Sequence, residues 1–438
     1  LKTVFSVLRN NQELVDYLAN RLVELGDSVP EEFASCKIKQ DNPLDDKELF
    51  NFTNYPSEIF AEPGDKVPNR VGFSKIASWL NSYSRMNYGR PLFVAMSADL
   101  ADSTNISGFS KGWGDMDDMG MFSKEDNSSS PLMPQGITEF ANSGMMAGLS
   151  TVNFSSDTLK SFNGFIGSFS TYGSFSYLKY GPIRLFSQLA QDSQIKVGKL
   201  LWIAGHSGPE TAEDSRTHFG IFAPGVTQLF PKGHIINLHP WEHNDVAPAL
   251  AAAFSTNVPI VALHLTRPAI EVPDRKKLGI SSHLEASKGA YLIRDYDDRP
   301  HQGVVIVRGT SSTNSVVSVL DEISSKFNVK IVSAVSWELF DMQSSEYKSS
   351  IISKQEWADS MIISNTGLSV MKNWISNRVV AEYSLTPDWD NRWRTGGSLE
   401  QIIDEAHLSP RWVMKSLEKF TNDRKKRLVM LRQEIPEN

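Results

Sequence analysis

Four continuously apolar runs dominate the chain between residues 91 and 265. They are PLFVAMS, GKLLWIAG, HIINLH and VPIVALHL. Runs without polar alternation are typical of strands that are covered on both faces of their sheet. Helical stretches separate the runs, which indicates βαβ units. The pattern therefore predicts an α/β domain built on a parallel sheet.

A second series of apolar runs follows a polar segment near residues 270–300. It comprises GVVIVRG, KIVSAV, DSMIIS and NRVVAEY, with helical candidates SVVSVLDEISSKF and SLEQIIDEAH between and after them. We predict a second, smaller α/β domain here. The predicted boundaries are 1–65 for an amphipathic helix (to about residue 24) and an extended connector, 66–275 for the first α/β domain, and 290–438 for the second. A Ser-, Asp-, Gly- and Met-rich segment at 111–130 predicts a long loop.

Composition narrows the range of functions. The 438 residues, 40% of them hydrophobic, suffice for two or three domain cores. A net charge of −7 without a long basic run argues against a nucleic-acid partner, and no apolar stretch is long enough to span a bilayer. The one cysteine, Cys36, excludes a disulfide framework and a cysteine-based metal site. Because we recognise no signal peptide, we expect a cytoplasmic protein.

Ligands of open parallel sheets bind beyond the carboxyl ends of the strands. The residues directly after the apolar runs are therefore the first candidates for a site. They are SADLADST (97–104), GHSGPETAEDSRTH (205–218), HPWEH (239–243) and TRP (266–268). The second of these segments combines two histidines, two glutamates and an aspartate, which indicates acid–base, metal or ligand chemistry.

Three simple chemistries are weighed against structural roles. His234, His239 and His243 offer metal ligands, but Pro240 interrupts the four-residue spacing, and ordinary loop histidines are the favoured interpretation. The stretch GTSST (309–313) predicts an exposed helix amino end that could bind an anion, but a turn with capping hydroxyls is the favoured interpretation. The phosphate-binding pattern GxxxxGK[ST] does not occur.

Glu139 opens a helical stretch rich in small residues, QGITEFANSGMMAGLS. A carboxylate in the first turn favours helix formation through the helix dipole. A positioned general acid or base is the alternative function for the same residue. Position in the sequence alone favours the structural role.

Several of these segments, in this order over roughly residues 65–430, resemble the C-terminal half of transketolases. The segments are SADLADST, QGITEFANSGMMAGLS, STYGSFSYLKYGPIRL and AGHSGPETAEDSRTH. The resemblance implies a thiamine-diphosphate-dependent transferase that moves a two-carbon ketol unit between sugar phosphates. It also implies a pyrimidine-binding domain followed by a smaller C-terminal domain.

The resemblance assigns a role to each matching residue. For the cofactor it implies a catalytic, proton-holding carboxyl at Glu139, an acidic neighbour at Asp99, and a pyrimidine pocket formed by Tyr172, Phe175 and Leu178. For the substrate it implies phosphate contacts from Arg70, Ser103, His206 and Arg267, hydroxyl recognition by Asp214, and proton transfer near the reacting carbon by His218. His206 is also counted among the catalytic residues.

The chain departs from the family pattern at several positions. Thr138 and Phe140 flank Glu139 where the family has Arg and His, Ser207 replaces an Asp, and Arg216 adds a charge. We find no Gly-Asp-Gly…Asn motif, so the resemblance implies that the diphosphate and its Mg²⁺ or Ca²⁺ are held by another domain or subunit. A homodimer, or an assembly with such a half, is therefore expected. The alternatives are a related thiamine-diphosphate synthase or 2-keto-acid dehydrogenase component, or a non-catalytic regulatory or assembly paralogue.

Overall fold

The structure is a computed structural model that describes residues 2–28, 38–111, 120–134 and 136–434. Cys36 and residues 112–119 of the predicted long loop lie outside the described residues. The chain divides into two compact units, Leu1–Gln40 and Asp41–Asn438. Within the described residues, no helix has the length and apolar character needed to cross a membrane.

The first unit contains two helices where the sequence predicted one. They are α1 (Lys2–Arg9) and α2 (Gln12–Asp27). Asn11 causes the break, because its side chain accepts a hydrogen bond of 3.0 Å from the backbone N–H of Leu14 and caps the second helix.

The second unit holds two main sheets. Its strands are β1 (Lys66–Val67), β2 (Phe93–Ser97), β3 (Ile166–Thr171), β4 (Leu200–Ala204), β5 (Ile235–Leu238), β6 (Ile260–His264), β7 (Ile270–Glu271), β8 (Ala290–Arg294), β9 (Val304–Arg308), β10 (Lys330–Ala334) and β11 (Ser360–Ser364). Its helices are α3 (Asn69–Tyr88), α4 (Ala101–Thr104), α5 (Glu139–Leu149), α6 (Tyr180–Asp192), α7 (Ala223–Val226), α8 (Val246–Phe254), α9 (Arg275–Leu278), α10 (Thr310–Ser318), α11 (Leu320–Lys326), α12 (Trp337–Asp341), α13 (Ser345–Ile351), α14 (Lys354–Ala358), α15 (Arg378–Tyr383), α16 (Leu399–Glu405), α17 (Pro410–Asn422) and α18 (Arg424–Glu434).

The first sheet is fully parallel, with the strand order β2-β3-β4-β6-β5. All residues of these strands are buried, as expected for a sheet with helices on both faces. Four of the five strands coincide with the predicted apolar runs. The fifth, β3, was missed because its sequence IGSFST places small polar residues between apolar ones.

The second sheet has the order β11-β9-β10-β8, with β8 antiparallel to β10. Two predictions are wrong here. β8 lies in the segment that the sequence indicated as polar, and NRVVAEY is the helix α15 rather than a strand. Asn377 caps α15 through the backbone N–H of Val380, at 3.0 Å, and the buried Val379, Val380 and Tyr383 follow helical spacing. The predicted α/β fold class is confirmed.

The described part of the predicted connector is more compact than an extended chain. From residue 41 onward it forms three 3₁₀ turns, Pro43–Asp45, Phe52–Asn54 and Ser57–Ile59. Leu49 and Ile59 are buried in the hydrophobic cluster that includes residues of both sheets. The short antiparallel pair of β1 and β7 joins residues 66–67 to residues 270–271. The domain boundaries themselves stay predictions.

Candidate functional site

The residues predicted to contact phosphate gather at the carboxyl edge of the first sheet. Ser103 lies in α4, just after β2, while His206 follows β4 and Arg267 follows β6. Arg70 is the second residue of α3, a helix that precedes β2 and begins at the same edge. Parallel strands thus bring together side chains that are far apart in the sequence.

Direct contacts join Arg70 to its neighbours. Its Nη1 donates to the backbone carbonyl of Ser103 at 2.6 Å and lies 3.3 Å from Nε2 of His206. The hydroxyl groups of Ser103 and Tyr172 are 2.9 Å apart. Nε of Arg70 and Nδ1 of His206 are buried and have no partner among the described residues. The cluster therefore keeps polar atoms that the fold itself does not use.

Positive charge is concentrated at this edge. Burial lowers the pKa of Arg70, and the neighbouring charge of Arg267 lowers it further. Burial, together with the charges of Arg70, Arg267 and His218, lowers the pKa of His206 to about 3. His206 is therefore neutral at pH 7. Two guanidinium groups close enough to repel one another form a site that favours a dianion such as a phosphate ester.

Asp214 engages this positive charge within the chain. Its carboxylate forms an ion pair with Nη1 of Arg267 and lies 3.7 Å from Nδ1 of His218. The His218 ring packs edge-on against Tyr172 and Phe175, with ring centroids 4.9 and 5.7 Å apart. Asp214, which was predicted to recognise a substrate hydroxyl group, thus forms an ion pair with Arg267, which was predicted to bind phosphate.

The loop that carries these groups is tightly folded. It contains two 3₁₀ turns, Glu210–Glu213 and Arg216–His218. The hydroxyl of Thr211 donates to the carbonyl of His218 at 2.6 Å and joins the two turns. Gly173 allows the close approach of the neighbouring loop, because a Cβ atom there would lie 2.5 Å from the carbonyl oxygen of His206.

Glu139 is the first residue of α5 and is only 6% exposed. Its Oε1 accepts a hydrogen bond of 3.0 Å from the hydroxyl of Thr171, at the end of β3. Helix α5 packs against the 3₁₀ segment Gly173–Lys179, which carries Phe175. A buried carboxyl group and an aromatic side chain therefore lie on adjoining elements.

Two residues near Glu139 were missed by sequence reasoning. Thr171 bonds directly to it, and Lys179 is buried in the same region, with its Nζ donating to the carbonyl of Ile203 at 3.0 Å. Nothing in the stretch SYLKYGP indicates that its lysine is buried, so the sequence offered no signal for it.

The predicted aromatic pocket is only partly assembled. Phe175 lines an apolar groove of about 490 Å³ together with Tyr177, Phe219, Phe222 and Trp393. Tyr172 instead contacts Ser103 through its hydroxyl group and so belongs to the cluster around Arg70. Leu178 and Asp99 are exposed and take no part in the contacts that join the cluster. The roles given to these residues stay predictions.

The three histidines considered as metal ligands make structural contacts instead. His234 bonds to Ser187 at 2.7 Å, His239 stacks on His264 with centroids 4.4 Å apart, and His243 lies 3.0 Å from the carbonyl of Ile59. These partners are separate, so the histidines do not share a metal. Among the described residues, no three His, Cys, Asp or Glu side chains form a group that could hold a metal ion.

The amino end of α10, which the sequence offered as an alternative anion site, is occupied by the chain itself. The hydroxyl of Ser311 donates to the carboxylate of Glu210. Burial raises the pKa of Glu210, while Ser311 and Asn365 oppose that shift. The helix end is buried rather than exposed, and Glu210 joins the site loop to the second sheet.

Several known transketolases are similar to the chain in sequence. A chloroplastic transketolase of Craterostigma plantagineum is 31% identical over 159 residues, which is 35% of this chain and 28% of that protein. A transketolase of a Nostoc strain is 26% identical over 318 residues, which is 70% of this chain and 42% of that protein. No family profile matches the chain. The chain thus spans less than half of the length of these relatives.

Solved structures give the same result for the fold. Transketolase from Pichia stipitis in complex with sedoheptulose 7-phosphate superposes with a TM-score of 0.62 at 20% identity, covering 83% of this chain and 47% of that one. A split-gene transketolase, described as an inactive β4 tetramer, superposes with a TM-score of 0.51 at 15% identity, covering 81% of this chain and 99% of that one.

The fold is that of an α/β protein with the architecture of the C-terminal half of transketolases. In sequence the chain is similar to transketolases but divergent from them.

Proposed function

We propose that this chain is a component of a thiamine-diphosphate-dependent enzyme that transfers a two-carbon ketol unit between sugar phosphates. The observation that carries the proposal is the convergence of Arg70, His206 and Arg267 in one positive cluster near the buried Glu139. The sugar phosphate bound by the Pichia stipitis relative is a substrate of the class that such a cluster suits.

Two residues support a fit to the pyrimidine end of the cofactor. Glu139 offers a buried carboxyl group, and Phe175, on the segment that packs against the helix of Glu139, lines an apolar groove of about 490 Å³. When bound, thiamine diphosphate supplies the nucleophilic carbon that accepts the ketol unit. Glu139 would hold a proton at its carboxyl group towards a ring nitrogen, and Phe175 would pack on the ring.

The substrate would be held by the positive cluster. Arg70 and Arg267 would bind the phosphate group, with the neutral His206 as a hydrogen-bond partner. Asp214 would leave Arg267 and accept a hydrogen bond from a substrate hydroxyl group. His218 would donate or accept a proton near the reacting carbon. Binding thus replaces an internal ion pair by contacts with the substrate.

The diphosphate end and its Mg²⁺ or Ca²⁺ would be held by a partner half. The sequence lacks the Gly-Asp-Gly…Asn motif, and the chain spans under half of its relatives. The split-gene neighbour, which this chain covers almost completely, supports assembly with an N-terminal subunit. A homodimer of longer chains would complete the site in the same way.

The test is ketol transfer from xylulose 5-phosphate by the complete assembly, in the wild type and in Glu139→Gln. We expect the variant to lose about 10²- to 10⁴-fold in kcat, because a positioned acid–base group contributes about that much. Glu271→Gln, an exposed carboxylate on β7, is the matched control and should keep full activity. Full activity in Glu139→Gln would contradict the proposed mechanism.

A second function is favoured by the ion pair of Asp214 and Arg267. Because this pair occupies a phosphate-binding arginine, a non-catalytic paralogue that assembles with an active partner would keep it closed. The same assay separates the two functions. An assembly that forms stably but transfers no ketol unit in the wild type would support the paralogue.

A further inference from the structure

Lys179 is a buried lysine on the segment that packs against the helix of the candidate catalytic carboxyl group. It is 1% exposed and lies at the end of the 3₁₀ segment that precedes α6. An ammonium group has three N–H donors, and the carbonyl of Ile203 is the hydrogen-bond acceptor found for Lys179 among the described residues. A buried charge with so few partners is costly unless an opposite charge compensates it.

The sheet places Lys179 and Glu139 on the same face. Successive side chains of a strand alternate between faces, so Phe169 and Thr171 of β3 point to one side. Nζ of Lys179 lies 5.0 Å from the centroid of the Phe169 ring, and Thr171 donates to Glu139. The ammonium and the carboxyl group therefore lie above neighbouring positions of one strand, close to its carboxyl end.

Electrostatics connects the two groups. Burial lowers the pKa of Lys179 well below its usual range, and the negative charge of Glu139 opposes that shift. The Nζ group also lies 5.7 Å from the centroid of the Trp202 ring, which favours a cation weakly. Glu139 is the carboxylate found to compensate Lys179 within the described residues.

We propose that Lys179 is the internal counter-ion of Glu139 and so holds that carboxyl group in place at the end of β3. A buried pair of opposite charges avoids the cost of leaving either charge buried alone.

The inference rests on the proposed function in one respect, namely that Glu139 is the carboxyl group that contacts the cofactor ring. Lys179 is then a positioning residue that acts through Glu139.

Other charged groups near Lys179 do not take this role. His264, at the end of β6, interacts electrostatically with Lys179, but burial and the charges of Arg308 and Lys179 lower its pKa to about 3. His264 is therefore neutral at pH 7. Arg308, which also acts on His264, is a cation and cannot compensate an ammonium.

The test is a double-mutant cycle on the thermal unfolding of the full chain without cofactor. The variants are Lys179→Met, Glu139→Gln and the combination of the two. In the wild-type background, Lys179→Met should lower the Tm, because it leaves a buried carboxylate without a counter-ion. In the Glu139→Gln background it should raise the Tm, because it removes a buried ammonium that has lost its partner.

Lys199→Met is the matched control. Lys199 is also largely buried and donates to backbone carbonyls, but it precedes β4 and lies at the opposite edge of the sheet. It should change the Tm equally in both backgrounds. The conservative variant Lys179→Arg should keep the coupling to Glu139, which a purely structural role of the side chain would not produce.

Each outcome decides the matter. Opposite effects of Lys179→Met in the two backgrounds support the proposal, as does a double variant that folds where Glu139→Gln alone does not. Equal shifts in both backgrounds would overturn it, and so would failure of the double variant to fold when Lys179→Met folds. The cycle is independent of ketol transfer, so its failure and the failure of the proposed function are distinguishable.

Discussion

Two segments of similar composition follow strands of the same sheet, but they have different surroundings. The segment 206–218 follows β4, and the segment 239–245 follows β5. Both combine two histidines with glutamate and aspartate. Their side chains differ in how far the protein itself satisfies them, and this difference separates a candidate site from a structural network.

In the segment 239–245 the acidic groups are fully enclosed. Glu242 and Asp245 are 0% exposed, and both accept hydrogen bonds of 2.7 Å from Nη2 of Arg275. The hydroxyl of Tyr291 donates to Asp245 at 2.8 Å and accepts from Trp241 at 2.6 Å. Burial raises the pKa of Asp245, and Arg275 opposes that shift. These contacts join the first sheet to β8 of the second.

In the segment 206–218 Glu210 is buried and bonded to Ser311, but the acidic group at the cluster, Asp214, is only partly enclosed. The side chains of Asp214 and Arg267 are 30% and 32% exposed.

Nδ1 of His206 and Nδ1 of His243 are both buried without a partner among the described residues, so the pairing of the carboxylates, not of the histidines, separates the two segments. Incomplete pairing at a sheet edge leaves donors and charge for a ligand, whereas complete pairing leaves none. Burial and pairing therefore identify the site better than composition does.

The largest expected effect is the loss of Arg275. Arg275→Met leaves two buried carboxylates without a counter-ion, so we expect the free energy of unfolding to fall by about 3–5 kcal/mol. Denaturant titration of the full chain measures this. Arg299→Met, which breaks an exposed pair with Asp297, is the control and should change stability little. A small effect of Arg275→Met would show that the segment 239–245 is not a structural network, and the distinction between the two segments would fail.

The sequence predicted most of the first sheet because its strands are continuous apolar runs. It failed where the pattern is mixed. β3 carries Ser168 and Ser170 at buried positions, and NRVVAEY combines β-branched residues with the capping Asn377. Whether these segments form a helix or a strand depends on helix capping and on pairing with neighbouring strands. A local hydrophobic pattern contains neither kind of information.

The candidate site was predicted in part for a different reason. Residues such as Arg70 and Arg267 are 197 positions apart in the numbering, and only the resemblance indicated that they act together. No pattern indicated that Asp214 holds Arg267, or that Lys179 is buried near Glu139. These contacts depend on side-chain burial and direction, which the sequence alone does not give.

An intermediate effect is expected on the pH dependence of the free energy of unfolding when His206 is replaced. Its pKa of about 3 lies below the usual 6.5, so the unfolded chain binds a proton that the folded chain does not. His206 therefore stabilises the fold above pH 6.5, and this contribution is lost as the pH falls towards 3. Between these values the wild type should lose about 1.4 kcal/mol per pH unit more than His206→Asn.

Unfolding of both proteins at pH 4, 5 and 6 measures the difference in slope. His264→Asn should flatten the profile similarly, because burial and the charges of Arg308 and Lys179 also lower the pKa of His264 to about 3. An unchanged slope in His206→Asn would show that the histidine is not held neutral by the fold. The positive cluster would then be less enclosed than the comparison of the two segments implies.

The smallest expected effect comes from Asp214. Because its ion pair with Arg267 is about one third exposed, Asp214→Asn should change the free energy of unfolding by no more than about 1 kcal/mol. It should nevertheless strengthen the binding of inorganic phosphate, since Arg70 and Arg267 would face no competing carboxylate. Calorimetric titration with phosphate measures this. Glu213→Gln removes the same charge one residue earlier and is the matched control, so equal gains in both variants would show that net charge, rather than release of Arg267, determines phosphate affinity.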